Sequence, residues 1–377
     1  MELARYFLEL GTTGFGGPIA LVGYMERDFV DTRRWVTREE FRDGLAFAQL
    51  APGPLAAQLA IYLGWRAHGA RGATIAGVAF VMPSFVMVLL IAIGYVQFGG
   101  APWLAGAFYG IGSAVIAIIA RSAIKLARGT VGNDGLRWLV FLVTGIVTAW
   151  TERELVWLFV ASGVVVMIAR ARWRPSASAM VWAPLAVQDS AVTGWLGAAA
   201  PGMLVTIFAF FASAGMFVFG SGLAIVPYLH GGVVVEHGWL SERQFLDAVA
   251  VALVTPGPVV ITVSFIGYLV AGVLGAVAAS VAVFAPVYFI TLLLAPSFER
   301  YKHNPQVRAF VDGVTAAATG AIAGAAVVLG RRAITDLATA LIALATAGVL
   351  LRWRRVPEPL VVLAAGVVGL VVRRFTG

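Results

Sequence analysis

Two short stretches of this chain share one local design: APGPLAAQ at residues 51–58 and TPGPVVIT at residues 255–262. Pro54 and Pro258 each stand where a proline can open a helix. The amides of Leu55, Ala56 and Ala57, and those of Val259, Val260 and Ile261, would then form first turns without intrahelical partners. Such N–H groups attract negative charge. Gly53 and Gly257 leave the backbone open to close approach, and Thr255 and Thr262 add hydroxyls. A second kind of break accompanies the first, Gly16-Gly17-Pro18 in one half and Gly220-Ser221-Gly222 in the other. Four breaks brought together would make a cage of N–H donors for an anion.

Other chemistries are poorly supplied. The chain has no cysteine, which excludes disulfides, thiolate nucleophiles and sulfur-rich metal sites. His68, His230, His237 and His303 are scattered, so no metal cluster is expected, and no cofactor. An enzyme would show a nucleophile or an acid–base pair, and neither is evident. A cation antiporter would bury several carboxylates, whereas only Glu9 sits deep in an early apolar segment. A scaffold has no reason to repeat glycine-proline breaks.

The elements that must position these breaks lie in a membrane. Of 377 residues, 60% are hydrophobic and 12% charged, against about 25% charged in a soluble domain. Apolar runs near the roughly 20 residues needed to cross a bilayer recur throughout, for example at 72–96, 103–120, 272–295, 310–330 and 356–372. The net charge of +8 comes largely from arginines in short loops, which orient a chain in lipid and do not call for nucleic acid. The N-terminal run lacks the features of a cleavable leader and reads as the first membrane segment.

The chain repeats itself. A shift of 204 positions carries Phe7, Gly11, Phe15, Trp35, Asp43 and Pro52-Gly53-Pro54 onto Phe211, Gly215, Phe219, Trp239, Asp247 and Pro256-Gly257-Pro258. After a one-residue slip, Gly64, Gly72 and Pro83 fall on Gly267, Gly275 and Pro286. Two repeats are expected, 1–170 and 200–377, with a linker at 171–199.

Loop charges orient them. Residues 24–42 carry Arg27, Arg33, Arg34, Arg38 and Arg42, whereas residues 228–246 carry only Arg243 with Glu236 and Glu242. Positively charged loops stay cytoplasmic, so the repeats are expected to be inverted. Inversion needs an odd number of crossings per repeat, and the segments broken at Pro-Gly-Pro are the natural ones to enter and return on one side. The expected fold is an all-α polytopic membrane protein with about ten full spans, two re-entrant Pro-Gly-Pro hairpins and the N-terminus outside. Backbone breaks at matching positions of inverted repeats mark a transporter's substrate site.

Plainer roles compete for several residues. A single glycine or proline in a membrane helix is more often a kink, but duplication of both motifs reverses that preference. Asp43 and Asp247 read first as helix caps and second as proton carriers. Glu26 reads as a loop ion pair, with a gating or proton role left open; Glu9 is the other candidate for coupling. Trp35 and Trp239 read as interfacial anchors, and Arg121 and Lys125 as snorkelling cations.

With these elements in order the chain resembles the long, two-domain form of the chromate ion transporter family. The pattern is Phe15-Gly16-Gly17-Pro18, Trp35, Phe41, Pro52-Gly53-Pro54, Gly64 and Gly72-Ala73, repeated from Phe219 to Gly275-Ala276. The resemblance covers nearly the whole chain. It implies a multi-pass protein of the inner membrane that exports chromate, drawing on the proton gradient, and confers chromate resistance. Two departures stand out: Ser221 replaces a glycine, and Ala285-Pro286-Val287 stands where a pair like Pro83-Ser84 is common. Sulfate has the shape and charge of chromate, and backbone donors separate the two poorly. The expected partners are such an oxyanion, the lipid bilayer and, as open options, protons and a second copy of the chain.

Overall fold

The computed structural model describes residues 2–15, 17–98, 102–151, 156–170, 202–216, 218–220, 225–301, 304–353 and 356–376. The expected linker, together with Gly16, Ser221 and Gly222, lies outside the described residues.

Each repeat opens with two broken helical hairpins. Helix α1 (Glu2–Thr13) buries Leu3, Tyr6, Phe7, Leu10 and Gly11 along one stripe. The chain breaks near Gly14 and returns as α2 (Gly17–Glu26), continued by a π-helical turn, Arg27–Thr32. The return is fixed by rings. Tyr6 lies 5.1 Å from Phe29 and 6.1 Å from Trp35, and the Arg33 guanidinium stands 5.2 Å from the Tyr6 ring. In the second repeat α8 (Met203–Met216) and α9 (Ile225–His230) close in the same way, with Phe210 at 5.5 Å from Tyr228 and 5.7 Å from Trp239.

This geometry corrects the expectation of a first segment that runs straight through. The start of α1 lies beside Arg33, on the same face as the arginine-rich loop, and not on the opposite face. Hydropathy cannot separate the two cases, because a run long enough to cross is also long enough to turn back at a glycine.

The second hairpin contains the Pro-Gly-Pro break. Helix α3 (Arg38–Leu50) starts at a capping box, where Thr37 and Glu40 satisfy each other's backbone amides. Its return arm opens α4 (Leu55–Phe98). Phe47 stacks on Tyr62 at 5.1 Å, and Arg66 reaches Glu40 at 2.8 Å. The two outer ends of the hairpin therefore meet on one side. In the second repeat α10 (Glu242–Val254), capped by Ser241 and Gln244, and the start of α11 (Thr262–Tyr301) take these places.

Helix α4 is itself bent. A straight helix of 44 residues would measure about 66 Å at 1.5 Å per residue, twice the hydrocarbon core. His68 (φ −144°, ψ 29°) and Gly69 (φ 61°, ψ −148°) interrupt it. A Cβ at Gly64 or Gly72 would overlap the other's carbonyl, so the arms touch through bare backbone. Ala271 (φ −145°, ψ 29°) and Gly272 (φ 63°, ψ −152°) bend α11 alike. The first arms fold back, and the second arms are long and apolar enough to cross a bilayer.

Four further helices close the body on each side of a central pair. Helices α5 (Pro102–Thr130) and α12 (Pro305–Ala333) are equivalent and antiparallel: Ile116 meets Gly330, and Ala123 meets Ile322. Helices α6 (Gly135–Thr151) and α7 (Val156–Arg170) pack on α12 of the other repeat. Helices α13 (Leu337–Arg352) and α14 (Glu358–Thr376) pack on α5, so each repeat embraces its partner. Arg137 and Arg170 hold Asp134 and Asp312 in an ionic cluster that ties α6 and α7 to α12.

Candidate functional site at the crossed hairpin tips

The breaks of the two repeats meet each other. Gly53 and Pro54 form a two-residue strand, β1, parallel to β2 (Phe219–Gly220), in the register Gly53 with Phe219 and Pro54 with Gly220. The Gly53 amide donates to the Val218 carbonyl at 2.6 Å, and the Gly257 amide donates to the Gly14 carbonyl at 2.9 Å. Val218 is Gly14 shifted by 204, so these two bonds are one bond formed twice about a two-fold relation. Both glycines adopt positive φ, 143° at Gly53 and 97° at Gly257, which side chains rarely accept.

These bonds correct part of the expected donor cage. The amides of Gly53 and Gly257 serve the opposite repeat. The Thr255 hydroxyl turns to the Val251 carbonyl at 3.0 Å, and the Thr262 hydroxyl to the Val259 carbonyl at 2.8 Å. Val259, Val260 and Ile261 form a 3₁₀ turn in which the Ile261 amide donates to Pro258. What the tips offer are the first turns of the return arms, at Leu55, Ala56 and Ala57 and at Val259 and Val260, all buried. Gly17 begins α2 and Gly220 ends β2, so both border this junction.

Side chains that the motif reading passed over complete the tips. Gln58, fully buried on the first turn of α4, donates from Nε2 to the Pro52 carbonyl at 3.1 Å, and its Oε1 has no partner among the described residues. Ser84, also fully buried, lies against Gly257 and donates to the Gly11 carbonyl at 3.3 Å. Val287, its counterpart, lies against Gly53. The signals were present: Gln58 closes the APGPLAAQ stretch opposite Thr262, and Ser84 belongs to the pair that the second repeat lacks.

The charged candidates lie apart from the tips. Glu26 is half-buried at the outer end of the first hairpin and pairs with Arg38 at 3.3 Å. Glu9 is exposed on α1, and Asp43 is half-buried within α3. Thr37 and Ser241 cap the helices assigned above to Asp43 and Asp247, which corrects that expectation. Asp247 is instead buried, 3% exposed, and accepts a 2.8 Å hydrogen bond from the Tyr95 hydroxyl. Arg121 pairs with Glu358 at 3.6 Å; the side chain of Lys125 lies outside the described residues. Trp35 packs at 5.0 Å on Phe29 and Trp239 at 4.4 Å on His237, so both brace their hairpins. Among the described residues no cluster of three or more His, Asp or Glu is arranged to hold a metal.

Long apolar helices and a duplicated unit of broken hairpins define a helical membrane protein built from two related halves. The chain belongs to the chromate transporter family, whose sequence profile matches residues 1–167 and 205–370. It is 55% identical over 98% of its length to a chromate transport protein of Cupriavidus metallidurans, covering 92% of that protein. It is 30% identical, again over 98% of its length, to a chromate transport protein of Pseudomonas aeruginosa, covering 92% of that one. No solved structure matches it. The relatives are transporters by name, and the chain is a transporter and not an enzyme.

Proposed function

We propose that the chain carries chromate across the inner membrane, outward, at the junction of the four hairpin tips. The observation that carries this reading is the reciprocal pair of bonds, Gly53 to Val218 and Gly257 to Gly14, which bring half-helix starts from both repeats together. Helix starts concentrate positive potential without committing a charged side chain. A tetrahedral dianion, with oxygens in every direction, suits several such starts better than one planar guanidinium.

Inverted repeats, 1–170 and 200–377, fit the antiparallel course of α5 and α12: a two-fold axis in the membrane plane would relate two equivalent helices that run in opposite directions. The return of the first segment removes a crossing from each repeat, so the parity of the count now turns on residues 171–199, outside the described residues. Export of a dianion from an inside-negative cell is electrically favourable by about 4.6 kcal/mol at 100 mV, from about 2.3 kcal/mol per charge. Proton entry in exchange adds to that drive.

Sulfate is the second reading, because the tips recognise shape and charge through backbone groups. Reconstituted vesicles decide between the two. Saturable chromate flux that excess sulfate leaves unchanged supports chromate. Equal competition by sulfate moves the assignment to tetrahedral dianions in general, and no flux of either overturns it.

A further inference from the structure

The two repeats are not equally closed. In α10 every residue from Phe245 to Leu253 is buried. At the matching positions of α3, Arg42 and Gln49 are exposed, and Asp43, Leu45 and Ala46 are half-buried. Helix α10 packs against α5 and α14, whereas α3 has its main helix contact with α4, the return arm of its own hairpin. The tips follow suit. Pro256 is buried while Pro52 is half-exposed, and Thr12 and Thr13 near the first break are exposed. The hairpin of the first repeat, which carries the arginine-rich loop, is therefore less covered than that of the second, while the first turns at both tips are buried.

One hydrogen bond of the closed side depends on a residue that the other side replaces. Tyr95, near the far end of the crossing arm of α4, donates its hydroxyl to Asp247 on α10 across the repeat boundary. Its ring is held by Phe265 at 5.2 Å and Phe108 at 5.5 Å. Shifted into the other repeat, Asp247 becomes Asp43 and Tyr95 becomes Phe298, which has no hydroxyl. Phe298 packs on Phe47 at 5.3 Å. The carboxylate is duplicated, and the tyrosine is not.

We infer that Tyr95 and Asp247 form the latch of a gate at the face opposite the arginine-rich loop, and that this structure is the state open toward that loop. The inference rests on the transport reading and adds to it a conformational state and the residues that hold it. Inverted repeats that exchange conformations would alternate access to a fixed site. An asymmetric latch biases the exchange toward the state in which the tips face the arginine-rich side.

Thiol accessibility tests this, because the chain has no cysteine of its own. Gln49→Cys and Leu253→Cys occupy matching positions on the two hairpins. In sealed vesicles of known orientation, a membrane-impermeant maleimide should modify Gln49→Cys from the arginine-loop face and leave Leu253→Cys at least tenfold slower from either face. Adding Tyr95→Phe, which removes one oxygen and keeps the packing, should raise Leu253→Cys labelling several-fold from the opposite face. Phe298→Tyr, which supplies the missing hydroxyl to the other repeat, should slow labelling of Gln49→Cys. Equal labelling of the two thiols in the parent, or Leu253→Cys labelling that neither Tyr95→Phe nor Asp247→Asn changes, would overturn the gate. The labelling pattern without any chromate flux would uphold the gate and count against the substrate.

Discussion

Gly53 and Gly257 occupy equivalent places and donate equivalent hydrogen bonds, yet Val287 lies against the first and Ser84 against the second. The neighbouring first turns differ as well, with Gln58 in one and Thr262 in the other. Backbone geometry has been held much more closely: the bends at His68-Gly69 and Ala271-Gly272 agree within 4° in φ and ψ. Duplication of this unit thus keeps main-chain angles and close backbone contacts, and lets the side chains around the tips diverge. A site that relies on helix starts tolerates such divergence, because amide groups do not depend on residue type.

Substitutions at the glycines should have the largest effect. Gly53→Val and Gly257→Val each place a branched side chain at positive φ, about 1–3 kcal/mol of local strain, where a Cβ alone would already crowd Val287 or Ser84. Chromate flux should fall below detection while the protein still inserts. Relief would sharpen the comparison: Ser84→Ala should partly restore Gly257→Ala, since the serine oxygen is the crowding atom, and should do nothing for Gly53→Ala.

Next come the hairpin bends. Gly64→Leu and Gly267→Leu would separate arms that meet backbone to backbone, at about 1–3 kcal/mol or more each, read as lower thermal stability in detergent. If the first arms were continuous with the second, both changes would be harmless.

A smaller difference is expected between the polar side chains of the two tips. Gln58→Leu removes a buried amide and should weaken chromate affinity by about tenfold, near the 1.4 kcal/mol of a single hydrogen bond. Thr262→Val should change it less than threefold, because that hydroxyl already serves its own helix. Competition of chromate with sulfate in the two variants gives the readout. Reversal of the order would place the anion against the second tip.

The smallest effect belongs to Glu26→Gln. An exposed pair with Arg38 is worth about 0–1 kcal/mol, and flux should stay within twofold of the parent at every imposed pH gradient.

Much of this was legible in the residues. The Trp, Asp and Pro-Gly-Pro landmarks repeat at fixed spacing, and two prolines around a glycine inside an apolar run announce a broken segment. Two features were not legible. The turn at the first break leaves no trace in hydropathy, since residues 2–32 contain enough apolar length either to cross or to return; what fixes the return is the contact of Tyr6 with Phe29 and Trp35. The pairing of Gly53 with Val218 joins positions far apart in sequence, and nothing in the type of Val218 points to it. Asp247 misled for a related reason. Near the start of a helix a carboxylate reads as a cap, but Ser241 holds that place, and burial beside Tyr95 comes from tertiary packing between the repeats.

The most direct measurement is chromate flux into purified, oriented vesicles under an imposed membrane potential, with the parent chain, Gly53→Val and Gly257→Val compared at equal insertion. Flux that is saturable, driven by the potential and abolished by either glycine substitution is the predicted result. Flux that persists at parental rates in both variants would contradict the placement of the anion at the crossed tips.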